Sequence, residues 1–209
     1  MKLIKRTVLK KVEGKEKHVD MGKNEVYHNC FYSGTPINTG LVWPLNASTV
    51  MPTQGVSENQ RVGDQIYMSG YKIKMLIGQK ADRPNINWRW LVVSVPKGSG
   101  ITYANWFKAL TSNILLDDVN SDFVKTHASG IWRPNEAGLV GGLADEYTFT
   151  KKLWIPYKKL LKYGPGDGVN THNDNDLYFV LMAYDAFGSL ITDNIGYVQS
   201  SSTLYYRDP

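Results

Sequence analysis

Residues 61–77 read RVGDQIYMSGYKIKMLI, and their alternation of apolar and polar residues is the strongest indication of the fold. Before Ser69 the apolar side chains occupy even positions, namely Val62, Ile66 and Met68. From Tyr71 onward they occupy odd positions, namely Tyr71, Ile73, Met75 and Ile77. Because side chains alternate between the two faces of a strand, this change of phase predicts a β-bulge at Ser69 and Gly70 within one long strand. Lys72 and Lys74 are then predicted on the face opposite the core.

The rest of the chain continues this strand-like alternation between turn-rich connections. A second strong strand is predicted over residues 86–95, with its tryptophans on one face and Arg89 on the other. Further strands are predicted over residues 25–31, 124–132, 147–155, 177–183 and 195–206, and residues 33–53 read as a long connection. A single stripe of Trp106, Leu110 and Ile114 predicts one short helix.

The strand at residues 177–183, LYFVLMA, is apolar on both faces. This composition indicates a central strand covered on each side, by this chain or by a neighbouring copy. Seven or eight strands with almost no helix exclude alternating βαβ units and leave sandwiches, jelly rolls and barrels. No internal repeat is visible, which argues against a propeller or a solenoid. A length of 209 residues fits one such domain.

Charge is distributed unevenly along the sequence. Residues 1–23 hold eight Lys or Arg and three acids, a formal charge of 8 − 3 = +5, whereas residues 24–209 hold 16 basic and 16 acidic residues. The sequence therefore predicts a basic N-terminal arm at residues 1–23 and a folded domain at residues 24–209. Such an arm typically contacts nucleic acid, because each neutralised phosphate releases counterions. The predicted contacts are Lys2, Lys5, Arg6, Lys10, Lys11, Lys15 and Lys17; a solubilising terminus is the alternative interpretation.

A second basic stretch, residues 151–163, reads KKLWIPYKKLLKY and combines five lysines with Trp154, Tyr157 and Tyr163. Cations interleaved with aromatic rings hold single strands by charge and by base stacking. The alternative is a strand and a short helix with solvated lysines. Lys151 and Lys152 are the predicted contacts here, joined by Lys72, Lys74 and Arg89 if the faces coincide.

Catalytic and metal-binding patterns are weak. The four histidines, His18, His28, His127 and His172, are too far apart in sequence for the close-set ligands of a cupin-type centre, and Cys30 is the only cysteine. Residues 172–176, HNDND, offer oxygen ligands but lack the spacing of an EF-hand loop, so a polar turn is preferred. The adjacent acids Asp117–Asp118 and Asp145–Glu146 do not by themselves form a facing pair. The sequence therefore predicts no enzyme, no metal and no cofactor. It also predicts neither a signal peptide nor a membrane span.

Residues 54–63, QGVSENQRVG, followed by the long strand and by residues 88–91, WRWL, resemble the capsid proteins of circovirus-like viruses with small circular single-stranded DNA genomes. The resemblance covers roughly residues 54–209, including the stretch at 151–163 and the last strand. It implies a single eight-stranded antiparallel jelly roll with long loops and at most short helices. It also implies sixty copies in a small icosahedral (T=1) shell, with a basic interior that condenses single-stranded DNA. The arm departs from the Arg-rich pattern of that family, since Arg6 is its only arginine.

The first functional hypothesis is therefore a viral capsid protein that self-assembles around single-stranded DNA, located in the virion and passing through the host nucleus during assembly. Its abundant Trp and Tyr are expected at interfaces between copies. The alternative hypothesis is a carbohydrate-binding, lectin-like module whose exposed aromatics, Trp43, Trp106 or Trp132, stack on sugars. A capsid protein can also bind host-cell glycans on its outer loops. A sandwich-fold hydrolase is the third and weakest hypothesis.

Overall fold

The computed structural model describes residues 14–27, 42–80, 83, 86–99, 105–108, 116–133, 147–164, 172, 174–185 and 193–208. These residues contain no α-helix, and so none long and apolar enough to cross a membrane. They form eight strands: β1 (Gly14–Tyr27), β2 (Val42–Pro44), β3 (Gln65–Gln79), β4 (Asn87–Val95), β5 (Lys125–Trp132), β6 (Tyr147–Lys162), β7 (Asp176–Tyr184) and β8 (Asn194–Arg207).

The strands form two antiparallel sheets of four. Sheet A has the order β1-β8-β3-β6 and sheet B the order β2-β7-β4-β5. The pairings are nested, since β1 pairs with β8, β2 with β7, β3 with β6 and β4 with β5. The chain therefore behaves as one long antiparallel hairpin rolled into two sheets, which is the jelly-roll topology. The predicted fold class is confirmed.

The bulge predicted at Ser69 and Gly70 is present in β3. The register of β3 shifts between Met68 and Gly70 against both β6 and β8. Apolar side chains are buried on the even positions before the bulge and on the odd positions after it, as predicted: Ile66, Met68, Tyr71, Ile73, Met75 and Ile77. Val62 was predicted on this core face, but it lies before β3 begins and is 62% exposed. That part of the prediction is wrong, because the alternation starts only where the chain becomes a strand.

Buried side chains fill the space between the sheets, and further side chains are buried on the outer side of sheet B. β7 lies between β2 and β4, and side chains on both of its faces are buried, including Phe179 and Val180. Trp43 stacks on Phe179 on the inner side, with ring centroids 5.6 Å apart. Trp106, from the connection between β4 and β5, packs against Tyr178 at 5.2 Å. The prediction of a central strand covered on each side is confirmed, and on the outer side this chain supplies part of the cover.

Several predicted boundaries differ from the structure. β2 lies inside the predicted connection at residues 33–53. β6 continues as a strand to Lys162, so no helix follows residue 155. Pro156 lies within this strand, and β6 is an edge strand of sheet A, which is where proline is usually found in sheets. In the predicted helix only Trp106 lies among the described residues, and Leu110 and Ile114 lie outside them.

The N-terminal boundary also differs. β1 begins at Gly14, so Lys15, Lys17 and Lys23 belong to a strand of sheet A and not to a separate arm. The predicted strand at residues 25–31 overlaps β1 only as far as Tyr27, and residues 28–31 lie outside the described residues. The boundary predicted at residue 23 therefore falls within β1.

The stretch at residues 54–63 forms a closed loop in front of β3. Gln54 and Arg61 form a parallel bridge, and the Gly55 N–H donates to the Arg61 carbonyl at 2.9 Å. The Arg61 side chain is fully buried, with its guanidinium 3.9 Å from the centroid of the Tyr163 ring. Arg61, which belongs to the motif of the resemblance, thus packs this loop against Tyr163, the residue that follows β6.

Candidate nucleic-acid interface

The side of sheet A that faces away from sheet B, called here the outer face, brings together three of the predicted contacts. In antiparallel sheets directly paired residues lie on the same face. Lys74 on β3 pairs with Lys152 on β6 and with Ser201 on β8. In the next row, Lys72 pairs with Trp154 and with Thr203. The Thr203 hydroxyl is in turn 3.0 Å from Nδ1 of His18 on β1.

Three lysines of this face, Lys72, Lys74 and Lys152, form no ion pair with the acids that the structure describes. Within the described part of the chain, no carboxylate lies within the 4.0 Å of an ion pair with Lys72, Lys74 or Lys152. The outward positions of the four strands hold seven cations and three acids, giving 7 − 3 = +4. The cations are Lys23, Lys72, Lys74, Lys152, Lys158, Lys162 and Arg207, and the acids are Glu16, Asp20 and Glu25.

A groove crosses this face at the paired lysines. Its volume is about 420 Å³, and its lining includes Lys74, Lys152, Thr150, Ser201 and Asp20. Asp20 is engaged locally, because its Oδ1 accepts the backbone N–H of Gly22 at 2.9 Å. Ammonium groups beside hydroxyls are suited to phosphate oxygens, since both supply hydrogen-bond donors. The groove therefore offers donors to an anionic ligand.

Trp154 is the most exposed aromatic residue of this face among the described residues, ahead of Tyr67 at 39%. Its side chain is 54% exposed, and its ring meets that of Tyr205 edge-on, with centroids 5.4 Å apart. The other aromatics predicted to stack, Tyr157 and Tyr163, face the core and are buried. Burial raises the pKa of Tyr157 to about 12 and that of Tyr163 further still. The prediction is thus wrong for these two tyrosines, because β6 alternates as a strand through its whole length.

The remaining predicted contacts are separated from this face. Lys151 points to the opposite side of β6, with its Nζ 5.9 Å from the Trp132 ring centroid. Lys15 is held inside, where its Nζ donates to Asp208 Oδ2 at 3.1 Å and to the Gln60 carbonyl at 2.9 Å. Lys17 pairs with the buried Leu204 and so shares the inner side of β1. Lys2, Lys5, Arg6, Lys10 and Lys11 lie outside the described residues.

Arg89 belongs to the other sheet. Its Nη1 donates to the Asp117 carbonyl at 2.6 Å, and its guanidinium lies 5.5 Å from the Phe107 ring centroid. Burial lowers the pKa of Arg89, against the opposing effect of Asp118. The faces of Arg89 and Lys72 therefore do not coincide, and Arg89 is a packing residue under the connection from β4 to β5.

The candidate sugar-stacking residues are not exposed as predicted. Trp43 and Trp106 are buried, and Trp132 stacks on Trp90 with centroids 5.6 Å apart. Trp88 is also fully buried. Most of the tryptophan surplus thus serves the core of this domain and not interfaces between copies, which corrects the expectation drawn from composition.

The polar candidates for metal binding act as structural groups. Among the described residues, no three His, Cys, Asp or Glu side chains cluster as metal ligands. His172 is buried, and its Nε2 lies 2.8 Å from the Asn46 carbonyl. Asp174 forms an ion pair with Lys159 at 2.5 Å. His127 lies 2.9 Å from the Ser94 hydroxyl, while His28, Asp145 and Glu146 lie outside the described residues.

Sequence reasoning missed part of the outer face. Lys158 and Lys162 alternate in phase with Lys152 and Trp154, a signal that was hidden by the predicted end of the strand at residue 155. Tyr205 and Arg207 on β8 gave no local signal, because their role depends on β8 lying beside β3.

Comparisons with known proteins give structural similarity alone. No family model matches the sequence, and no curated protein matches it. Similar solved structures include a chain of the full Israeli acute paralysis virus particle heated to 63 degrees, at 10% identity over 91% of this chain and 71% of that chain, with a TM-score of 0.38. A chain of the native Kashmir bee virus virion at acidic pH aligns at 15% identity over 94% and 69%, with a TM-score of 0.29. The VP1 protein of Trichodysplasia spinulosa-associated polyomavirus, in complex with GM1 oligosaccharide, aligns at 10% identity over 99% and 96%, with a TM-score of 0.22.

Proposed function

We propose that this chain is a viral capsid protein that self-assembles into a small icosahedral shell and lines it with the outer face of sheet A. The jelly roll is a recurrent fold of viral capsid domains. The finer features follow from the sequence resemblance: a circovirus-like lineage, sixty copies in a T=1 arrangement, circular single-stranded DNA as cargo, and passage through the host nucleus. Host-cell glycans are a proposed further partner of the outer loops.

The observation that carries this proposal is the directly opposed pair Lys74 and Lys152, which has no acidic partner among the described residues. Like charges directly opposite each other destabilise a sheet, and a third lysine, Lys72, follows two residues from Lys74 on the same face. An arrangement that costs stability in the free chain is explained when an anionic partner neutralises it. Phosphates supply that charge, and they do so whatever the base sequence.

The charge of the N-terminal sequence also supports nucleic-acid binding. Residues 1–13 hold five Lys or Arg and one acid, giving 5 − 1 = +4. They lead into β1, which pairs with β8, and β8 contributes Ser201 and Thr203 to the outer face. The most basic part of the chain therefore joins the sheet that carries the free lysines.

The lectin-like alternative loses its main support. It rests on Trp43, Trp106 and Trp132 as sugar-stacking residues, and these pack within the domain. No cluster of three His, Cys, Asp or Glu side chains among the described residues favours a metal-dependent hydrolase.

The test is electron microscopy of the purified full chain, together with its absorbance ratio at 260 and 280 nm. We expect closed particles that carry nucleic acid and binding of single-stranded DNA that weakens as salt rises. Log affinity falls as log salt concentration rises. The Lys74→Gln/Lys152→Gln variant should make this slope less steep by about 1.4, since each phosphate contact on a single strand contributes about 0.7. The matched control is Lys108→Gln/Lys125→Gln, which removes the same charge from exposed positions outside sheet A. A chain that stays monomeric at all salt concentrations, or equal losses in both variants, contradicts the proposal.

A further inference from the structure

The bulge in β3 has a direct relation to Trp154. The Trp154 ring leans from its own row toward Gly70, the bulge residue of β3, which pairs with Tyr205 of β8. A Cβ atom built on Gly70 would lie 2.9 Å from Cζ2 and 3.1 Å from Cη2 of Trp154, and 2.5 Å from the Ile155 carbonyl oxygen. Only glycine therefore leaves the space that the indole occupies.

Gly70 and Tyr205 together hold the indole in one place on the outer face. The six-membered ring of the indole packs against Gly70, and the Tyr205 ring contacts it edge-on at an interplanar angle of 67°. Trp154 is nevertheless 54% exposed, so apolar surface remains open to solvent. A rigid, half-open indole of this kind is a stacking surface for another flat ring.

The cations around the indole indicate which flat ring it takes. Lys72 is the direct cross-strand neighbour of Trp154, and Lys152 lies two residues from it on the same face. Positions two residues apart along a strand are about 6.6 Å apart, comparable with the distance between successive phosphates of an extended single strand. A neutral sugar would leave these ammonium groups without a partner, whereas a nucleotide supplies both an aromatic base and a phosphate.

We propose that Trp154, seated on Gly70, stacks an unpaired nucleobase while Lys72, Lys74 and Lys152 bind the flanking phosphates. The site is therefore selective for single-stranded over duplex nucleic acid. A base within a duplex has both faces covered by its neighbours and cannot reach the ring, whereas a single strand turns its bases outward. This inference rests on the proposed function, because it assigns the state of the nucleic acid that the same face binds.

The test compares three fluorescently labelled probes of equal length on the full chain: a thymidine oligonucleotide, an abasic oligonucleotide with the same phosphates, and a duplex. Affinity is measured by anisotropy at several salt concentrations. We expect the thymidine strand to bind the native protein more tightly than the abasic strand. Trp154→Ala should weaken thymidine binding by at least about fivefold and leave the abasic strand and the salt slope unchanged. Trp154→Phe, which keeps an aromatic ring, should retain most of the preference.

The outcomes separate this inference from the proposed function. If the thymidine and abasic strands bind alike, or if Trp154→Ala weakens all three probes equally, the stacking role is wrong while a phosphate-binding capsid face still stands. If none of the probes binds with salt dependence, the nucleic-acid face itself is wrong. Tight binding of neutral glycans that Trp154→Ala abolishes, without binding of the thymidine strand, overturns both in favour of a sugar site. Near-ultraviolet circular dichroism of both variants establishes that the domain is folded in each measurement.

Discussion

Lys74 on β3 and Lys152 on β6 are direct cross-strand neighbours on the outer face of sheet A. Ser201 of β8 completes their row, and Asp20 of β1 pairs with Ser201 on its far side. The acid of this row is thus separated from the lysines by a whole strand. The two ammonium groups therefore repel each other in the free protein, and this repulsion can be measured.

We expect Lys152→Gln to stabilise the free protein while it weakens nucleic-acid binding. Removing one of two directly opposed like charges should raise the free energy of unfolding by about 0.2–1 kcal/mol at low salt. The gain should shrink at high salt, because exposed charges are screened. Urea unfolding at two salt concentrations measures it. The control is Lys158→Gln, an exposed lysine of β6 without a paired residue in the β3–β6 register. Equal gains in both variants would show a general charge effect and not the paired repulsion.

The loop at residues 54–63 gives a second prediction, centred on Arg61. Its side chain is fully buried over Tyr163, and its Nη1 donates to the Gly63 carbonyl at 2.5 Å. We expect Arg61→Ala to lower the free energy of unfolding by about 2–5 kcal/mol, because it empties a buried volume. Arg61→Lys should recover only part of this loss, since an ammonium cannot lie flat on the ring. Chemical denaturation checks both. Val62→Ala, at an exposed position of the same loop, should change stability by less than about 0.5 kcal/mol.

The end of β2 gives a third prediction. Just after β2, the Asn46 side chain makes two hydrogen bonds to the backbone at the start of β7. Its Oδ1 accepts the Leu177 N–H at 2.7 Å, and its Nδ2 donates to the Asn175 carbonyl at 2.8 Å. Asn46→Ala leaves the buried Leu177 N–H without this acceptor and should cost about 1–3 kcal/mol. Thermal and urea unfolding measure the loss, with the exposed Asn59→Ala as the control. A stability equal to that of the native chain would mean that water replaces the side chain at no cost.

The sequence predicted six of the eight strands, β3 to β8, together with the last three residues of β1, because alternation over a half-buried surface is a local property. The bulge was visible for the same reason, as a change of phase around Gly70. β2 was missed because only three of its residues pair, within a stretch rich in Gly, Pro and Asn. Lysines that alternate along one strand share a face, so Lys72 and Lys74 were placed correctly opposite the core.

The candidate site was only partly predictable, because it is assembled across strands. The pairing of Lys74 with Lys152 requires β3 and β6 to be neighbours, although β4, β5 and their connections separate them in sequence. The same order places Arg89 on the other sheet and Lys15 against Asp208, which local patterns cannot show. The seat of Trp154 on Gly70 joins two features that the sequence had indicated separately.

His172 links the loop before β7 to β2 through a fixed pattern of hydrogen bonds. Its Nδ1 accepts the Asp174 N–H at 3.1 Å, so Nδ1 carries no proton, and its Nε2 donates to the Asn46 carbonyl at 2.8 Å. The charged groups that face it are Lys97, whose Nζ donates to the His172 carbonyl, together with Asp174 and Asp176. Burial lowers the pKa of His172, and the bond to Asn46 and the two acids oppose that effect in part.

A lowered pKa in the folded state means that the unfolded chain takes up the proton first as the pH falls. Stability is therefore fully present above about pH 6.5 and decreases below it, by at most about 1.4 kcal/mol per pH unit for one histidine. His127, whose pKa is also lowered by burial, adds to the same trend. We expect urea unfolding at pH 7.5 and pH 5.5 to show this loss, and His172→Gln to reduce the difference between the two pH values although it is less stable at both. Asn46→Ala removes stability without removing a titrating group, so its difference should match that of the native chain. If His172→Gln retains the full native difference, the loss at low pH arises elsewhere in the chain.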